Sequence, residues 1–374
     1  MIPLVDLRRQ YESIKPEVDE AVGRVLASGR FVMGGNVAKF EEEFARYCGR
    51  RHGIGVNSGS DALYLALRAL GLRRNGVVLL PSFTFVSTAD AVVRNGLVPR
   101  FVDVGDDCTV DPERLEAAHT PGVVAVVVVH LYGKPARMDE VLEYAERHGV
   151  PVVEDCAQAH GAWCGGRNVG SFGVASCFSF YPSKPLGAYG DGGMVLTDDA
   201  GLAERIRALR EYGQVRKNEH EFVGVNSRLD ELQAAVLRVK LSYLDGWNLK
   251  RRELARLYCS LLSELAGDKI LLQYPETNPG HVYHLFVVRL LEPRLRERVT
   301  DRLNRSGIGW GIHYPRAVHE QPAYSLYAPG DARESLKNSE AAARGVLSLP
   351  MFAELTSAEV AAVAEAVGEA LRDG

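Results

Sequence analysis

Short apolar runs alternate with helical patterns through the first two-thirds of the chain, and this alternation limits the possible folds more than any other feature. Val123–Val129 is an uninterrupted apolar run, typical of a strand that is buried on both faces. The segment Met138–His148 that follows has the spacing of an amphipathic helix. Repeated alternation of this kind favours a mostly parallel sheet covered by helices. The sequence therefore predicts an α/β fold whose ligands bind beyond the carboxyl ends of the strands.

The chain changes character after Asp230. A long helical stretch is predicted from there to about Leu265, and shorter strands and helices follow. We expect two domains: a large one over residues 1–240, including an N-terminal helical segment, and a smaller C-terminal α/β domain over residues 241–374. A chain of 374 residues is long enough to form two hydrophobic cores.

Composition argues against several classes of protein. The net charge is −4, which does not favour binding to nucleic acid or to an anionic membrane surface. The longest apolar run is far too short to span a bilayer. The six cysteines contain no CxxC pair and no zinc spacing. We therefore expect reduced thiols in a cytoplasmic protein and no metal site.

Two charged residues, Asp155 and Lys184, have informative positions. Asp155 ends the apolar segment 151–155, and Lys184 follows the short apolar segment 178–180 on a glycine-rich loop. Pyridoxal phosphate (PLP) chemistry needs both groups: an amine that forms a Schiff base with the aldehyde, and a carboxylate that keeps the pyridine nitrogen protonated. Taken alone, each residue has a plainer interpretation. Asp155 would cap the next turn, and Lys184 would be a solvated loop lysine.

Other residues near predicted strand ends suit the same cofactor. Gly59 and Ser60 open a helix, where free backbone amides attract a phosphate, although an ordinary helix cap has the same pattern. Phe85 either stacks on a flat ring or packs in the core. Ser179 lies between two aromatic residues, and its hydroxyl is able to bind a phosphate oxygen.

Two C-terminal histidines and one asparagine keep more than one interpretation. His313 and His319 have no carboxylate or cysteine at a metal-ligand spacing, which leaves a substrate contact or a core position. Asn226 belongs to the segment that opens the long helix, and alone it is typical of a capping region.

Together these segments closely resemble the PLP-dependent nucleotide-sugar aminotransferases of the DegT/StrS type, which have the aspartate-aminotransferase-like fold (PLP fold type I). The resemblance extends over nearly the whole chain. The matching segments are Asp6–Leu7, Gln10–Tyr11, Ser28–Phe31, Asn57–Leu63, Pro81–Phe85, Val129–Gly133, Glu154–Ala162, Phe178–Gly193, Asn226–Ala235, His281–Arg289 and His313–Pro315.

The resemblance implies a PLP site built mostly by one chain. It implies that Lys184 is the Schiff-base lysine and that Asp155 is the partner of the pyridinium nitrogen. Further cofactor contacts are implied at Gln158 with the 3-hydroxyl of the ring, at Phe85 by stacking, and at Gly59, Ser60 and Ser179 with the phosphate.

The resemblance also implies a homodimer with shared active sites. Asn226 would contact the phosphate bound by the neighbouring subunit. The sugar pocket would likewise use residues of both subunits, with these candidates: Phe31, Lys217, His313, Tyr314 and His319.

The activity implied by the resemblance is transfer of an amino group from glutamate to a nucleotide-linked ketosugar. Gln158–Ala162 and Asp6–Tyr11 are similar to the branch that aminates C3 of a dTDP-3-keto-6-deoxyhexose. Two alternatives keep the transaminase but change its acceptor to a 4-keto nucleotide sugar or an inosose. Two others change the function, to a dehydratase or to a PLP-binding regulator without turnover. Lys184 favours transamination, since dehydrating relatives carry histidine there. Pro185 replaces the asparagine of many relatives, and the geometry of the lysine loop is therefore not implied by the resemblance.

Overall fold

A computed structural model describes residues 1–272, 280–328 and 336–372. Within these residues the helices are α1 (Leu7–Ser13), α2 (Lys15–Ser28), α3 (Gly35–Tyr47), α4 (Gly59–Ala69), α5 (Ser87–Arg94), α6 (Pro112–Ala118), α7 (Met138–His148), α8 (Ala200–Leu209), α9 (Glu231–Leu241), α10 (Leu244–Ala266), α11 (Leu295–Arg305), α12 (Lys337–Gly345) and α13 (Ser357–Arg372). The strands are β1 (His52–Val56), β2 (Val77–Pro81), β3 (Val98–Val102), β4 (Val123–Val129), β5 (Val152–Asp155), β6 (Trp163–Cys164), β7 (Arg167–Asn168), β8 (Ala175–Ser179), β9 (Gly193–Thr197), β10 (Gln214–Arg216), β11 (Glu219–His220), β12 (Ile270–Leu272), β13 (Phe286–Leu290) and β14 (Val346–Leu349).

The main sheet has seven strands in the order β1-β9-β8-β5-β4-β2-β3. The pairings from β8 through β5, β4 and β2 to β3 are parallel, and only β9 is antiparallel to its neighbours. Strand β4 lies between β2 and β5, and one apolar core covers each face of the sheet. This position explains its unbroken run of valines and alanine. The predicted mostly parallel α/β fold is confirmed.

The parallel strands place their carboxyl ends along one edge of the sheet. Helices α4, α5 and α8 pack on one face, and α6 and α7 pack on the other. The residues at or just beyond the ends of β1, β2, β4, β5 and β8 therefore converge at this edge. That convergence is what positions the site described below.

A smaller antiparallel sheet, β12-β13-β14, has its own core with α10, α11 and α13. The predicted single helix after Asp230 is wrong: α9 ends at Leu241 and α10 begins at Leu244. The chain turns there so that α10 packs against α13 of the smaller unit. The start of the chain also reaches this unit, since Ile2 pairs with Ile308. The domain boundary at residue 240 stays a prediction.

In the described parts of the chain, no helix combines the length and the apolar character needed to cross a membrane.

Candidate active site

A cavity of about 390 Å³ lies at the carboxyl edge of the main sheet. One side is formed by residues of the large sheet and its loops, including Gly59, Asp155, Ser179 and Lys184. The opposite side is formed by His284 and Leu285, just before β13, and by His313 and Tyr314. The two candidate catalytic residues, about 30 positions apart in sequence, therefore line one cavity.

Asp155 is the last residue of β5, and its carboxylate is almost fully buried. The side chain accepts a hydrogen bond from Thr88 Oγ1 (2.9 Å) and one from the amide of Ala157 (3.2 Å). Burial raises the pKa of Asp155, while these two donors and Lys184 act in the opposite direction. A buried carboxylate is costly unless it is paired, so this position suits a cationic group in the cavity.

Lys184 is the only lysine among the residues that line this cavity in the described ranges. Burial lowers the pKa of its amine to about 8, although the Asp155 carboxylate favours the charged form. An amine with this pKa is available in its neutral, nucleophilic form at a much lower pH than an ordinary lysine. Burial therefore favours the neutral, nucleophilic form of the Lys184 amine.

Two residues of α9 hold the loop that carries Lys184. Lys240, which is fully buried, donates a hydrogen bond to the carbonyl of Gly187 (2.8 Å) and lies 4.1 Å from the ring centroid of Tyr189. Gln233 accepts a hydrogen bond from the amide of Tyr189 (2.8 Å). Sequence reasoning missed both anchors, because a lysine in a helical pattern is normally assigned to the solvent-exposed face.

Helix α4 points its N-terminus at the cavity. Ser58 caps the helix by accepting a hydrogen bond from the amide of Asp61 (3.1 Å), so the earlier amides at Gly59 and Ser60 are left for a ligand. A Cβ on Gly59 would lie 2.5 Å from Cβ of Ser179. Only glycine permits this close approach, which brings the Ser179 hydroxyl beside the free amides.

Gln158 is held at both ends of its amide. Its Oε1 accepts from the amide of Tyr132 (2.6 Å), and its Nε2 donates to the hydroxyl of Tyr314 (3.2 Å). Phe85 is half exposed at the mouth of the cavity and contacts Tyr314, with 5.7 Å between the ring centroids. These three side chains form one wall of the cavity.

The two C-terminal histidines have different positions. His313 lines the cavity, and its Nδ1 lies 2.8 Å from Ser348 Oγ. Burial, and then the charge of Lys184, lower its pKa. His319 is fully buried, its Nδ1 lies 2.6 Å from Ser82 Oγ, and its Nε2 lies 3.4 Å from Glu340. This placement gives the expected substrate contact at His319 no support, because the ring is enclosed by side chains of its own chain.

Besides His319, three of the expected ligand residues lie outside the cavity formed by the described residues of this chain. Asn226 is exposed just before α9, and Lys217 is exposed between β10 and β11. Phe31 is 46% exposed beside Val32 and Met33, which are also exposed. The single chain therefore does not bring these three residues together with Lys184.

One buried cluster behind the cavity has the residue types of a metal site. Potential ligand atoms of His130, Glu154 and Cys156 lie within 4.8 Å of one another. The Glu154 carboxylate already accepts hydrogen bonds of 2.8 Å from the amides of Gly170, Phe172 and Gly173. Its acceptor positions are thus occupied by the loop before β8, which indicates a structural role in holding β5.

Comparison with known proteins identifies the family. The model of the DegT/DnrJ/EryC1/StrS aminotransferase family matches residues 12–368. The chain belongs to this family. It is therefore a PLP-dependent aminotransferase, as predicted.

Characterised relatives extend over almost the full chain. The dTDP-3-amino-3,4,6-trideoxy-alpha-D-glucose transaminase of Streptomyces venezuelae is 47% identical, covering 98% of this chain and 96% of its own length. The dTDP-3-amino-3,6-dideoxy-alpha-D-galactopyranose transaminase of Aneurinibacillus thermoaerophilus is 44% identical, covering 98% and 99%. The crystal structure of S. venezuelae DesV in complex with a ketimine intermediate superposes with a TM-score of 0.93 at 46% identity, covering 98% of each chain.

The described residues fit PLP. Asp155 is a buried carboxylate facing the cavity, and Lys184 is an amine with a lowered pKa. The amides of Gly59 and Ser60, which the Ser58 cap leaves free, lie beside Ser179 and would suit a phosphate. The family site therefore has the required groups in this chain.

Proposed function

We propose that this aminotransferase moves an amino group from glutamate to C3 of a dTDP-3-keto-6-deoxyhexose. The product would be a 3-amino-3,6-dideoxyhexose carried on the nucleotide. We further propose that the enzyme is a cytoplasmic homodimer with shared active sites. The expected location follows from the cysteine pattern of the sequence.

One observation carries the choice of C3. Two of the relatives named above are transaminases whose names place the nitrogen on C3 of a dTDP-linked sugar. A further relative, from Acidithiobacillus ferrooxidans, is 42% identical over 99% of this chain and is a UDP-N-acetyl-3-dehydro-alpha-D-glucosamine 3-aminotransferase. The nucleotide and the substituents differ among these relatives, whereas the aminated carbon does not. This supports C3 more strongly than it supports a particular sugar.

PLP, when bound, supplies an aldehyde that condenses with amines and a ring that accepts electrons. We propose that Lys184 holds the cofactor in the resting enzyme and afterwards moves the proton at the substrate Cα, first as base and then as acid. The Asp155 carboxylate would hold the proton on the ring nitrogen. Gln158 would bind the 3-hydroxyl of the ring, and Phe85 would cover one face.

The phosphate would be bound by the amides of Gly59 and Ser60 and by the hydroxyl of Ser179. Asn226 of one subunit would add a contact to the phosphate held by its partner. This assignment agrees with the exposed position of Asn226, which leaves its side chain available to another molecule.

A shared site is also supported by exposed apolar side chains near the same segments. Phe31, Val32 and Met33 precede α3, and Val223 is 84% exposed three residues before Asn226. Clustered apolar surface of this kind is typical of protein interfaces. Phe31 and Lys217 would contact the sugar from the rim, and His313 and Tyr314 would contact it from within the cavity.

A substrate panel tests the proposal. The enzyme is incubated with glutamate and, separately, with 3-keto and 4-keto sugars on dTDP and on UDP, and products are identified by mass spectrometry. We expect amination of dTDP-3-keto-6-deoxyglucose or its galacto epimer. Exclusive turnover of a 4-keto sugar would overturn C3, and exclusive turnover of a UDP sugar would overturn the nucleotide. Release of a dehydrated sugar would replace transamination by dehydration.

A further inference from the structure

His284 lines the cavity but has no part in the roles assigned so far. The residue is 5% exposed and lies in the segment just before β13. Its Nδ1 is buried and has no hydrogen-bond partner in the part of the chain that the structure describes. Because Nδ1 is enclosed, Nε2 is the ring nitrogen left to face the cavity, and a polar ring without a partner in its own chain costs free energy unless a ligand binds it.

The position of His284 is fixed by the turn that also holds Gln158. The amide of Val282 donates to the carbonyl of Gly133 (3.0 Å), and the amide of Tyr132 donates to Gln158. A Cβ on Gly133, where φ is +94°, would lie 2.7 Å from Val282 and 3.1 Å from the backbone nitrogen of His284. Glycine at this position therefore lets the His284 segment pack directly on the Gln158 turn.

Basic residues surround His284, and the Asp155 carboxylate lines the same cavity. Burial holds its pKa well below the usual value, and the charges of Lys184 and Arg251 and the rings of His313 and His160 act in the same direction. Arg251 is buried in α10 and donates to the carbonyl of Met351 (3.2 Å). Among the described residues no arginine lines the cavity itself. An anion that enters beside His284 would thus meet an imidazole able to bind it, with the charge of Arg251 nearby.

Both proposed substrates carry anionic groups, but they differ in where these groups lie. The amino donor has a carboxylate bonded directly to the carbon whose proton is transferred. The sugar has hydroxyls around its reacting carbon, and its phosphates lie further away. His284 and Lys184 line the same cavity, so the anionic group bonded directly to the carbon that reacts beside Lys184 is the one placed to reach the imidazole.

We propose that His284 binds the α-carboxylate of the amino donor and takes up a proton as that carboxylate enters. This inference rests on the proposed function, because it takes glutamate as the donor. An arriving carboxylate offsets the charge of Arg251 and favours the protonated ring. The resulting charge-assisted hydrogen bond holds the Cα of the donor beside the amine of Lys184.

The first test separates the two half-reactions by stopped-flow absorbance. For His284→Gln, which keeps a neutral hydrogen-bonding group, we expect glutamate affinity to fall about 10- to 100-fold. The rate constant for the reaction of the aminated enzyme with the ketosugar should change less than about threefold, a change small enough to come from slightly altered packing. The matched control is His281→Gln, a neighbouring buried histidine that does not line the cavity and should leave glutamate affinity close to wild type.

The second test measures binding without turnover. Calorimetric titration of the PLP-loaded protein with 2-oxoglutarate, in buffers of different ionisation enthalpy, counts the protons taken up at pH 7. We expect up to about one proton per site in the wild type and almost none in His284→Gln. Thermal unfolding of both variants checks that they are folded, and His284→Asn is the replacement if His284→Gln is not.

Equal glutamate affinity in wild type and His284→Gln would overturn the inference. An equal loss in His281→Gln would also overturn it, because damage to the whole segment would then explain the effect. If the wild type aminates the sugar from another donor but does not react with glutamate, the donor in the proposed function is wrong and this inference fails with it.

Discussion

The inner wall of the site and its outer rim are constructed differently. The inner wall consists of residues at the ends of β5 and β8 and at the start of α4, and Asp155 there is almost fully buried and hydrogen-bonded. The rim residues Phe31, Lys217 and Asn226 are exposed on loops and outside the described cavity. One chain thus brings the inner-wall residues together, whereas the rim residues would join a site only in the dimer that we propose.

The largest expected effect comes from breaking the inner wall at Lys184. In Lys184→Ala, we expect turnover to fall by roughly 10²–10⁴-fold or more, because both the covalent amine and the proton-transfer group are lost. Steady-state kinetics with glutamate and the accepted ketosugar measure this. Borohydride reduction of the wild type should fix the cofactor to the peptide that contains Lys184. Lys250→Ala, which changes an exposed lysine of α10, is the control. Labelling of any other lysine would contradict the assignment.

A smaller effect on activity is expected at the rim, where mixing two variants should restore part of the lost activity. In a twofold dimer with shared sites, a mixed dimer of Lys184→Ala and Asn226→Ala contains one intact site. Mixing the two inactive variants in equal amounts should then restore about a quarter of wild-type activity, since half of the dimers are mixed.

The control for this rescue is Lys184→Ala mixed with Asp155→Ala. Each of these changes damages the inner wall of the subunit that carries it, so a mixed dimer has no intact site. Subunit exchange is verified by mass spectrometry of the intact dimers. Failure of the Asn226 mixture after verified exchange would show that the rim is not shared.

The inner wall was largely predictable from sequence, because its residues follow apolar strands. Val152–Asp155 is a short apolar strand ending in an acid, and the parallel order of β4 and β5 brings that acid to the ligand-binding edge. The loop that carries Lys184 follows β8, which pairs directly with β5. The order of the strand ends alone therefore predicts that both groups lie at the ligand-binding edge of the sheet.

Long-range packing explains what the sequence did not reveal. The pattern from Asp230 continues through Ser242 and Tyr243 without a proline or glycine, so the break between α9 and α10 has no local signal. The residues at the break contact distant parts of the chain: the Tyr243 hydroxyl donates a hydrogen bond to Glu17 (2.9 Å). His319 shows the same limit, since the core partners Ser82 and Glu340 lie 237 and 21 positions away.

Buried residues with polar side chains were the hardest to place. His284 and Lys240 belong to ordinary-looking strand and helix patterns, and neither stands at a predicted strand end. Only the packing of the segment before β13 against the turn at Leu131–Gly133 brings His284 to the cavity. Such residues are found from contacts between distant segments and not from periodicity.

The smallest expected effect measures how tightly the inner wall is packed. In Gly59→Ala, the added Cβ would lie 2.5 Å from Cβ of Ser179, so the α4 N-terminus and β8 must move apart. We expect a loss of about 1–3 kcal/mol in the free energy of unfolding and weaker PLP binding, because the amides and the Ser179 hydroxyl no longer converge. Gly23→Ala in α2 is the matched control, since no atom of the described residues lies within 4 Å of its added Cβ. It should raise stability by up to about 1 kcal/mol through helix propensity alone. Urea unfolding and cofactor titration measure both variants. If they behave alike, the close contact between α4 and β8 does not limit the phosphate site, and the contrast between a fixed inner wall and an open rim loses its basis.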